Sequence, residues 1–449
     1  MTSKKRVLII TYYWPPSGGI GVLRCLKISK YLREFGWEPV IYTAEGATYP
    51  TEDLTNFKDI LEGTEIIKGK IWEPYSIYKF ITRKPKTANV NNVFYTKEKK
   101  ASWAHKFSVW IRSNFFIPDA RCMWIKPSVK KLKKYLKENP VDAIFSNGPP
   151  HSNTRIATLL KKETGIPWLA DFQDPWTQID YYQLLSLTKF GDRKHRRMEQ
   201  EAFKYADEIT IVSPSWKKDL EDIGAHNVSV IPWGYDPEDY KALKTKVSDK
   251  FIISHLGILG FDRNPEILLT AIKALVDSSD KYKNTIEVQL AGQVDYSVKE
   301  SIEKNKLNEN VKYLGNLTRS DALQLMKDSS LLLLLLNKQS NAKGRIPGKI
   351  FEYLAVKRPT LCLGMTVSDS ADIIRNAKAG WAYEYEDYNN IIDLLKSEVD
   401  KFITNKNTQD LDSDIEQFSI VTQTEKIAAL LDSISKSNSN DSKINGQSE

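Results

Sequence analysis

Four short clusters in the 449-residue chain set residues suited to binding phosphates or polyols at the ends of apolar runs. In Pro347-Gly348-Lys349-Ile350-Phe351-Glu352 a helical pattern opens with Lys349 in its first turn. A cation beside the positive end of a helix is uncomfortable unless an anion is expected there. Glu352, one turn on, could accept hydrogen bonds from the two hydroxyls of a ribose, or pair with Lys349 as a surface i, i+3 couple. Gly257 and Arg263 lie between a strand-like run and a helix opening at Pro265. A glycine loop, a guanidinium and a helix start together suit a phosphate. Gly18-Gly19-Ile20-Gly21 also falls between a strand and a helix. Bare backbone N–H groups there could approach a diphosphate or a sugar closely. A dinucleotide fingerprint would need its third glycine where Arg24 stands, and a tight turn alone also accounts for the loop.

Two further clusters follow strands in the first half. His151 closes Asn147-Gly148-Pro149-Pro150-His151 and is one of five histidines. An imidazole at the carboxyl end of a strand can hydrogen-bond a bound hydroxyl or sense charge at a reacting centre. His195, within Arg193-Lys194-His195-Arg196-Arg197, reads as part of a solvated helix face. Asp171-Phe172-Gln173-Asp174-Pro175-Trp176 carries two carboxylates three positions apart beside an indole. These could bind sugar hydroxyls with Trp176 as a stacking platform, or cap the following helix, since Asp before Pro is a common helix start.

The elements that must position these residues alternate strand and helix. Val7–Tyr12, Pro39–Thr43, Val141–Ser146, Trp168–Phe172, Glu208–Val212 and Val228–Ile231 read as strands. Between the first two lies a helix bearing Cys25, Ile28, Leu32 and Phe35 on one face and stopped by Gly36. A second series begins at Phe251. The rhythm predicts an α/β chain of two tandem Rossmann-like, doubly wound domains, with a ligand crevice between them at the carboxyl ends of the sheets. We place the N-terminal domain at 1–235, a polar hinge at 236–249, the C-terminal domain with a last helix at 250–434, and a disordered Ser/Asn/Lys-rich tail at 435–449. Within the first domain, residues 79–138 hold sixteen Lys/Arg against three Asp/Glu, interleaved with aromatics such as Phe94, Tyr95, Trp103, Trp110 and Trp124. That mixture suits an anionic bilayer surface, although a solvated insertion with inward aromatics would look the same. No nucleic-acid-binding pattern accompanies the charge, so no nucleic acid partner is expected. Three dispersed cysteines argue against a disulfide framework or zinc knuckle. The first apolar run is too short for a signal peptide and Leu331–Leu336 too short for a membrane span. The expectation is a soluble protein of a reducing compartment.

Together these motifs resemble those of a family 4-type glycosyltransferase with GT-B architecture, from Lys5 to about Leu395. The matching pieces are Pro15-Pro16-Ser17-Gly18-Gly19, Gly148-Pro149-Pro150-His151, Asp171 through Trp176, and Val230-Ile231-Pro232 with Gly234 and Asp236. Gly257 with Arg263 and Lys349 through Ala355 complete the set. The subgroup most similar builds bacterial surface polysaccharides. The resemblance implies a nucleotide-sugar donor bound by Gly257, Arg263, Pro347, Lys349, Ile350 and Glu352, with Gly18 and Gly19 closing over the diphosphate. It implies catalytic roles for His151, Arg263 and Lys349. The acceptor, a lipid-linked saccharide or polysaccharide, would meet Asp171, Gln173, Asp174 and Trp176. No metal and no cofactor are expected, and retention of anomeric configuration is. The enzyme would lie in the cytoplasm, peripheral on the inner face of the cell membrane. Counting back eight positions from Glu352 gives Gly344, where the family pattern has a glutamate that contacts the donor sugar. Gln173 stands where related sequences tend to have Arg. A sugar-nucleotide 2-epimerase or a non-catalytic sugar-nucleotide-binding subunit are the alternative readings of the same scaffold.

Overall fold

Short runs such as Val7-Leu8-Ile9-Ile10 are apolar on both faces, which only a sheet covered on both sides tolerates. The central strands of both sheets are built from such runs. The structure, a computed structural model, describes residues 4–72, 103–179, 182–338, 343–405, 410–413 and 415–445. The chain divides into two units: residues up to Gly234 together with those from Ile420 onward, and Tyr235–Ser419.

The first unit runs β1 (Lys5–Ile10), α1 (Ile20–Tyr31), β2 (Trp37–Glu45), β3 (Glu65–Lys70), α2 (Trp103–Phe115), α3 (Ile125–Glu138), β4 (Ala143–Gly148), α4 (His151–Thr164), β5 (Trp168–Phe172), α5 (Lys189–Tyr205), β6 (Glu208–Ile211), α6 (Pro214–Asp222) and β7 (Val228–Val230). Its seven strands lie in the order β3-β2-β1-β4-β5-β6-β7. Each neighbouring pair is parallel. The order reverses between β1 and β4, so the loops after β1 and β4 open side by side at the carboxyl end, where ligands of such sheets bind.

The second unit runs β8 (Phe251–Leu256), α7 (Glu266–Ser278), α8 (Asp280–Thr285), β9 (Ile286–Ala291), α9 (Tyr296–Lys304), β10 (Val311–Gly315), α10 (Arg319–Asp328), β11 (Leu331–Leu335), α11 (Lys349–Ala355), β12 (Thr360–Leu363), α12 (Asp369–Asn376), β13 (Gly380–Tyr383) and α13 (Tyr388–Asn405). The strand order is β10-β9-β8-β11-β12-β13, again parallel throughout. The reversal falls between β8 and β11, which brings the loops bearing Gly257 and Lys349 together.

The α/β class and the two doubly wound sheets match the expectation from sequence. Several particulars do not. Strands β3 and β13 were not anticipated: β3 is a polar edge strand of sequence EIIKGK, and β13 has no fully buried position. The last helix, α14 (Ile420–Asn445), belongs to the first unit and not to the C-terminal domain. Its stripe Ile420, Ile427, Leu431 and Ile434 is buried with Val7, Ile9, Leu26, Ile28 and Trp37. Lys5 anchors it further through Asp432 at 2.6 Å. The helix also runs on into residues we expected to be disordered, up to Asn445.

The stretch read as a hinge, 236–249, is fastened to the second unit. Asp236 caps the turn Pro237–Asp239, Lys246 N–H donates to Asp328 at 2.8 Å, and Gln324 donates to the Lys244 carbonyl at 2.9 Å. The chain passes from one unit to the other at Gly234–Tyr235 and returns at Ser419–Ile420.

The basic-aromatic segment 79–138 is not a single insertion. Residues 79–102 of it lie outside the described residues. Its last part is the crossover helix α3, which packs on the sheet through Val129, Leu132 and Leu136. Trp124 just before it is fully buried and stacks on Tyr42 with ring centroids 5.2 Å apart. Trp124 is therefore a core residue. The outer face of α3 keeps Lys126, Lys130, Lys134 and Lys137 exposed.

Candidate functional site

In the second unit the site is built where β8 and β11 diverge. Gly257 follows β8 with φ +116°, a conformation that disfavours any side chain, and its N–H donates to the Ala291 carbonyl at 2.8 Å. A Cβ there would stand 3.1 Å from Lys349 Nζ. Lys349 itself donates to the Leu256 carbonyl at 2.7 Å, so it reaches back across the end of β8 instead of pairing with Glu352. Burial, and next the nearby Arg263 guanidinium, push the Lys349 ammonium from 10.5 down to about 8, against an upward pull from Glu352. Lys349 thus stands beside a glycine loop with Arg263 near it, the Arg263 Nε lying 3.5 Å from Asp262 Oδ1, and an anion bound there would favour the Lys349 ammonium.

Glu352 is already engaged. Its Oε1 accepts from Arg319 Nη1 at 2.8 Å, and Arg319 Nη2 lies 3.3 Å from Asp239 Oδ2. Burial would lower the Arg319 guanidinium, but Glu352, Tyr240 and Asp239 outweigh it and hold it above its ordinary range. Glu352 is therefore a carboxylate oriented by Arg319, a residue the sequence reading missed. Pro347 is half-buried and its carbonyl accepts from the Ile350 N–H at 3.0 Å. Ile350 is fully buried, so its side chain serves the core and not a donor. Gly344, at the position of the family's first glutamate, is buried and followed by Arg345, whose carbonyl accepts from Ser370 at 2.9 Å.

In the first unit, the loop after β1 is clamped by residues 51–53. The Gly18 N–H donates to the Thr51 carbonyl at 2.9 Å, and the Asp53 N–H to the Pro16 carbonyl at 2.8 Å. A Cβ on Gly18 would meet Thr51 Oγ1 at 3.1 Å. The Gly18 amide is therefore not the bare donor expected from sequence. Gly19, with φ +76°, heads α1.

Asp171 does not present itself to a ligand. Its carboxylate is gripped by Arg24 through Nε at 2.8 Å and Nη2 at 2.7 Å, and both side chains have no exposure. Asn147 and Thr210 each donate to it at 2.7 Å. Arg24 spends further N–H groups on the carbonyls of Ile231 and Pro232 at 3.1 and 3.0 Å. The residue occupying the third-glycine position thus ties α1 to β4, β5, β6 and the segment after β7. Gln173 is also buried, its N–H donating to the Gly148 carbonyl at 2.9 Å, while Asp174 is half-buried.

His151 begins α4, whose first turn is already capped by Asp119, which accepts from Ser152 N–H at 2.8 Å. The imidazole lies on the Trp176 indole, centroids 4.5 Å apart and planes 4° from parallel. Burial, helped by His195, pushes it from 6.5 down to about 3. His151 is consequently neutral at physiological pH and cannot act as a cation. Trp176 is buried and donates from Nε1 to His195 Nδ1 at 3.0 Å, so it is no open platform for a sugar. His195, expected on a solvated face, is buried too. Its stripe with Gly191, Glu199, Ala202 and Phe203 follows the helical period, and that spacing could have revealed it.

The structure brings Gly257, Arg263 and Lys349 to one place in the second unit, and Gly148, His151 and Trp176 to one place in the first. Among the described residues no group of three His, Cys, Asp or Glu is arranged to hold a metal ion, and no helix is long and apolar enough to cross a membrane.

Residues 18–239 match Glycosyltransferase Family 4 and residues 236–413 match Glycosyl transferases group 1. No curated protein matches the chain significantly in sequence. Among solved structures the fold is shared with WaaG, a glycosyltransferase involved in lipopolysaccharide biosynthesis, at 15% identity and TM-score 0.53, over 95% of this chain and 99% of that one. S. aureus TarM, solved with Fondaparinux, alpha-GlcNAc-glycerol and UDP, gives 12% identity and TM-score 0.55 over 95% and 99%. The N-terminal domain of Candida albicans trehalose-6-phosphate phosphatase gives 14% and 0.62 over 96% and 97%.

Proposed function

This chain belongs to glycosyltransferase family 4 and is a sugar-transferring enzyme, and we propose that it moves a sugar from a nucleotide-diphosphate donor to a lipid-linked or polysaccharide acceptor. The observation that carries the donor reading is that Lys349 reaches Gly257 with Arg263 nearby, where burial and the Arg263 charge have already destabilised the Lys349 ammonium. A diphosphate leaving group gains negative charge as its bond to the anomeric carbon breaks, and fixed cations at that position favour the transition state over the ground state. The second unit holds the nucleotide, with Glu352 at the ribose. For the first unit the proposal keeps His151 as a residue for the donor sugar, and Asp174, half-buried where Asp171, Gln173 and Trp176 are buried, as the acceptor residue of that cluster.

Transfer proceeds with retention. The acceptor hydroxyl attacks from the face that the diphosphate leaves, the new glycosidic bond forms as the old one breaks, and the leaving phosphate oxygen takes the hydroxyl proton. Neither a protein nucleophile nor a metal enters this scheme. Neutral His151 fits it, since a hydrogen-bond donor is wanted there and not a base.

A thermal-shift panel of UDP-, GDP-, dTDP- and CMP-sugars without added metal tests the donor site. A ligand at a hundredfold excess over its dissociation constant stabilises the folded state by about 2.7 kcal/mol. We expect a shift with one nucleotide class, absent in Arg263→Ala. A shift that persists undiminished in Arg263→Ala refutes the site.

We also propose that the enzyme works peripherally at an anionic membrane on the cytoplasmic side. The support is the row Lys126, Lys130, Lys134 and Lys137 on the exposed face of α3, where each lysine contributes about 1 kcal/mol near a charged bilayer. Changing all four to Gln should abolish flotation with phosphatidylserine vesicles while leaving neutral vesicles unbound as before. Undiminished flotation rejects this face.

A further inference from the structure

His151 and Trp176 are 25 positions apart and come from different elements, yet their rings stack almost parallel. Nothing in α4 or in the loop after β5 alone requires that orientation. It is imposed from behind by α5. Glu199, itself buried, accepts from the Thr177 N–H at 3.0 Å and from Thr177 Oγ1 at 2.5 Å, which pins the backbone next to Trp176. His195, one turn earlier on the same stripe, accepts the indole N–H at 3.0 Å. An indole nitrogen can only donate, so His195 Nδ1 is bare and its proton sits on Nε2.

On the other side of the stack, Gly148 closes against the imidazole. A Cβ there would lie 3.0 Å from His151 Nδ1 and 2.8 Å from Thr154 Oγ1. His151 Nδ1 is sealed in and has no partner among the described residues. A proton on Nδ1 would bury an unpaired N–H, which favours the tautomer with the proton on Nε2, an atom that is not among the buried unpartnered ones.

We infer that α5 is a positioning element for catalysis: His195 and Glu199 lock Trp176, and Trp176 with Gly148 holds His151 so that Nε2–H is the one donor it can offer. This rests on the reading of His151 as a residue near the donor sugar. His195, Glu199 and Trp176 are then positioning residues that touch no substrate. The chemical partner of Nε2–H is an acceptor oxygen, either a sugar hydroxyl or a phosphate oxygen.

The first test needs no substrate. In protein carrying 13C-labelled histidine, the carbon-bound ring protons of His151, assigned by their loss in His151→Ala, should be shifted upfield by the indole ring current. That shift should persist in His195→Gln, whose amide oxygen can still accept the indole N–H, and collapse in His195→Leu. Trp176→Phe should keep an aromatic upfield shift, and Trp176→Leu should lose it. An unshifted His151 in the wild type, or one unchanged in His195→Leu, overturns the inference.

The second test follows nucleotide release from UDP-glucose, UDP-N-acetylglucosamine and GDP-mannose. We expect His195→Leu to lower kcat by up to about a hundredfold with KM nearly unchanged, the size that misplacement of a reacting group can produce, and His195→Gln to recover most of it. If His151→Ala abolishes turnover while His195→Leu does not lower kcat, the positioning role is wrong and the His151 reading stands. If His151→Ala leaves turnover intact, the His151 reading itself falls and the inference with it.

Discussion

Lys349→Met is expected to lower kcat by about a hundredfold to a thousandfold, the range seen when one preorganised donor to a developing negative charge is removed. The side chain is nearly isosteric, and the lost contact is one hydrogen bond to the Leu256 carbonyl at 2.7 Å. Folding should therefore survive, and thermal unfolding of the variant provides the control. The pH dependence gives a second signature. With its ammonium at about 8 in the folded protein against 10.5 ordinarily, Lys349 binds fewer protons folded than unfolded between those values. The unfolded state is the one that takes up protons there, so stability of the ligand-free enzyme should rise as pH increases through that window. Nucleotide affinity should move the opposite way, falling as pH passes 8 because the neutral amine no longer attracts phosphate. The two trends are measured by denaturant unfolding and by titration calorimetry with whichever nucleotide shifts the melting curve. An unchanged kcat, or nucleotide affinity flat from pH 7 to 9, removes Lys349 from the diphosphate site.

Asp171→Ala should cost about 3–5 kcal/mol of stability, because breaking a buried pair leaves an uncompensated charge on Arg24 with no route to water. The loss is compounded by Asn147 and Thr210, which donate to the same carboxylate at 2.7 Å and would be left without it. Urea unfolding reads this directly, and in a marginally stable chain much of the protein should fail to stay soluble. A double variant, Arg24→Met with Asp171→Leu, should be milder than Asp171→Ala alone, since it removes both charges and refills the volume. Were Asp171 an acceptor ligand, the single variant would instead keep its stability and raise KM for the acceptor. That outcome would restore the sequence-based role.

Much of this protein could be read one residue at a time. Runs such as Val7–Ile10 and Leu331–Leu335, buried on both faces, announce parallel strands, and glycines at 36 and 165 with φ +82° and +70° stop the helices before the next strand. The clusters that carry chemistry were legible for the same local reason. They follow apolar runs, and the carboxyl ends of parallel strands are where such sheets bind ligands. Gly257, Arg263 and Lys349 were singled out this way. Strands β3 and β13 escaped because edge strands lack a second buried face and so lose the apolar signal.

What side chains do at those ends was decided by strand order. Asp171 and Trp176 have the composition of a sugar site, but the sheet sets Asp171 beside Arg24, 147 positions away, and α5 sets His195 behind Trp176. Glu352 looks free one turn from Lys349, but the fold supplies Arg319 across 33 positions. The same holds for α14, whose apolar stripe shows that it must be covered without showing by which sheet. Periodicity reports that a side chain will be buried or exposed. Only the tertiary structure assigns its partner, and for a carboxylate or an imidazole the partner determines whether it stabilises the fold, positions a neighbour or reaches a substrate.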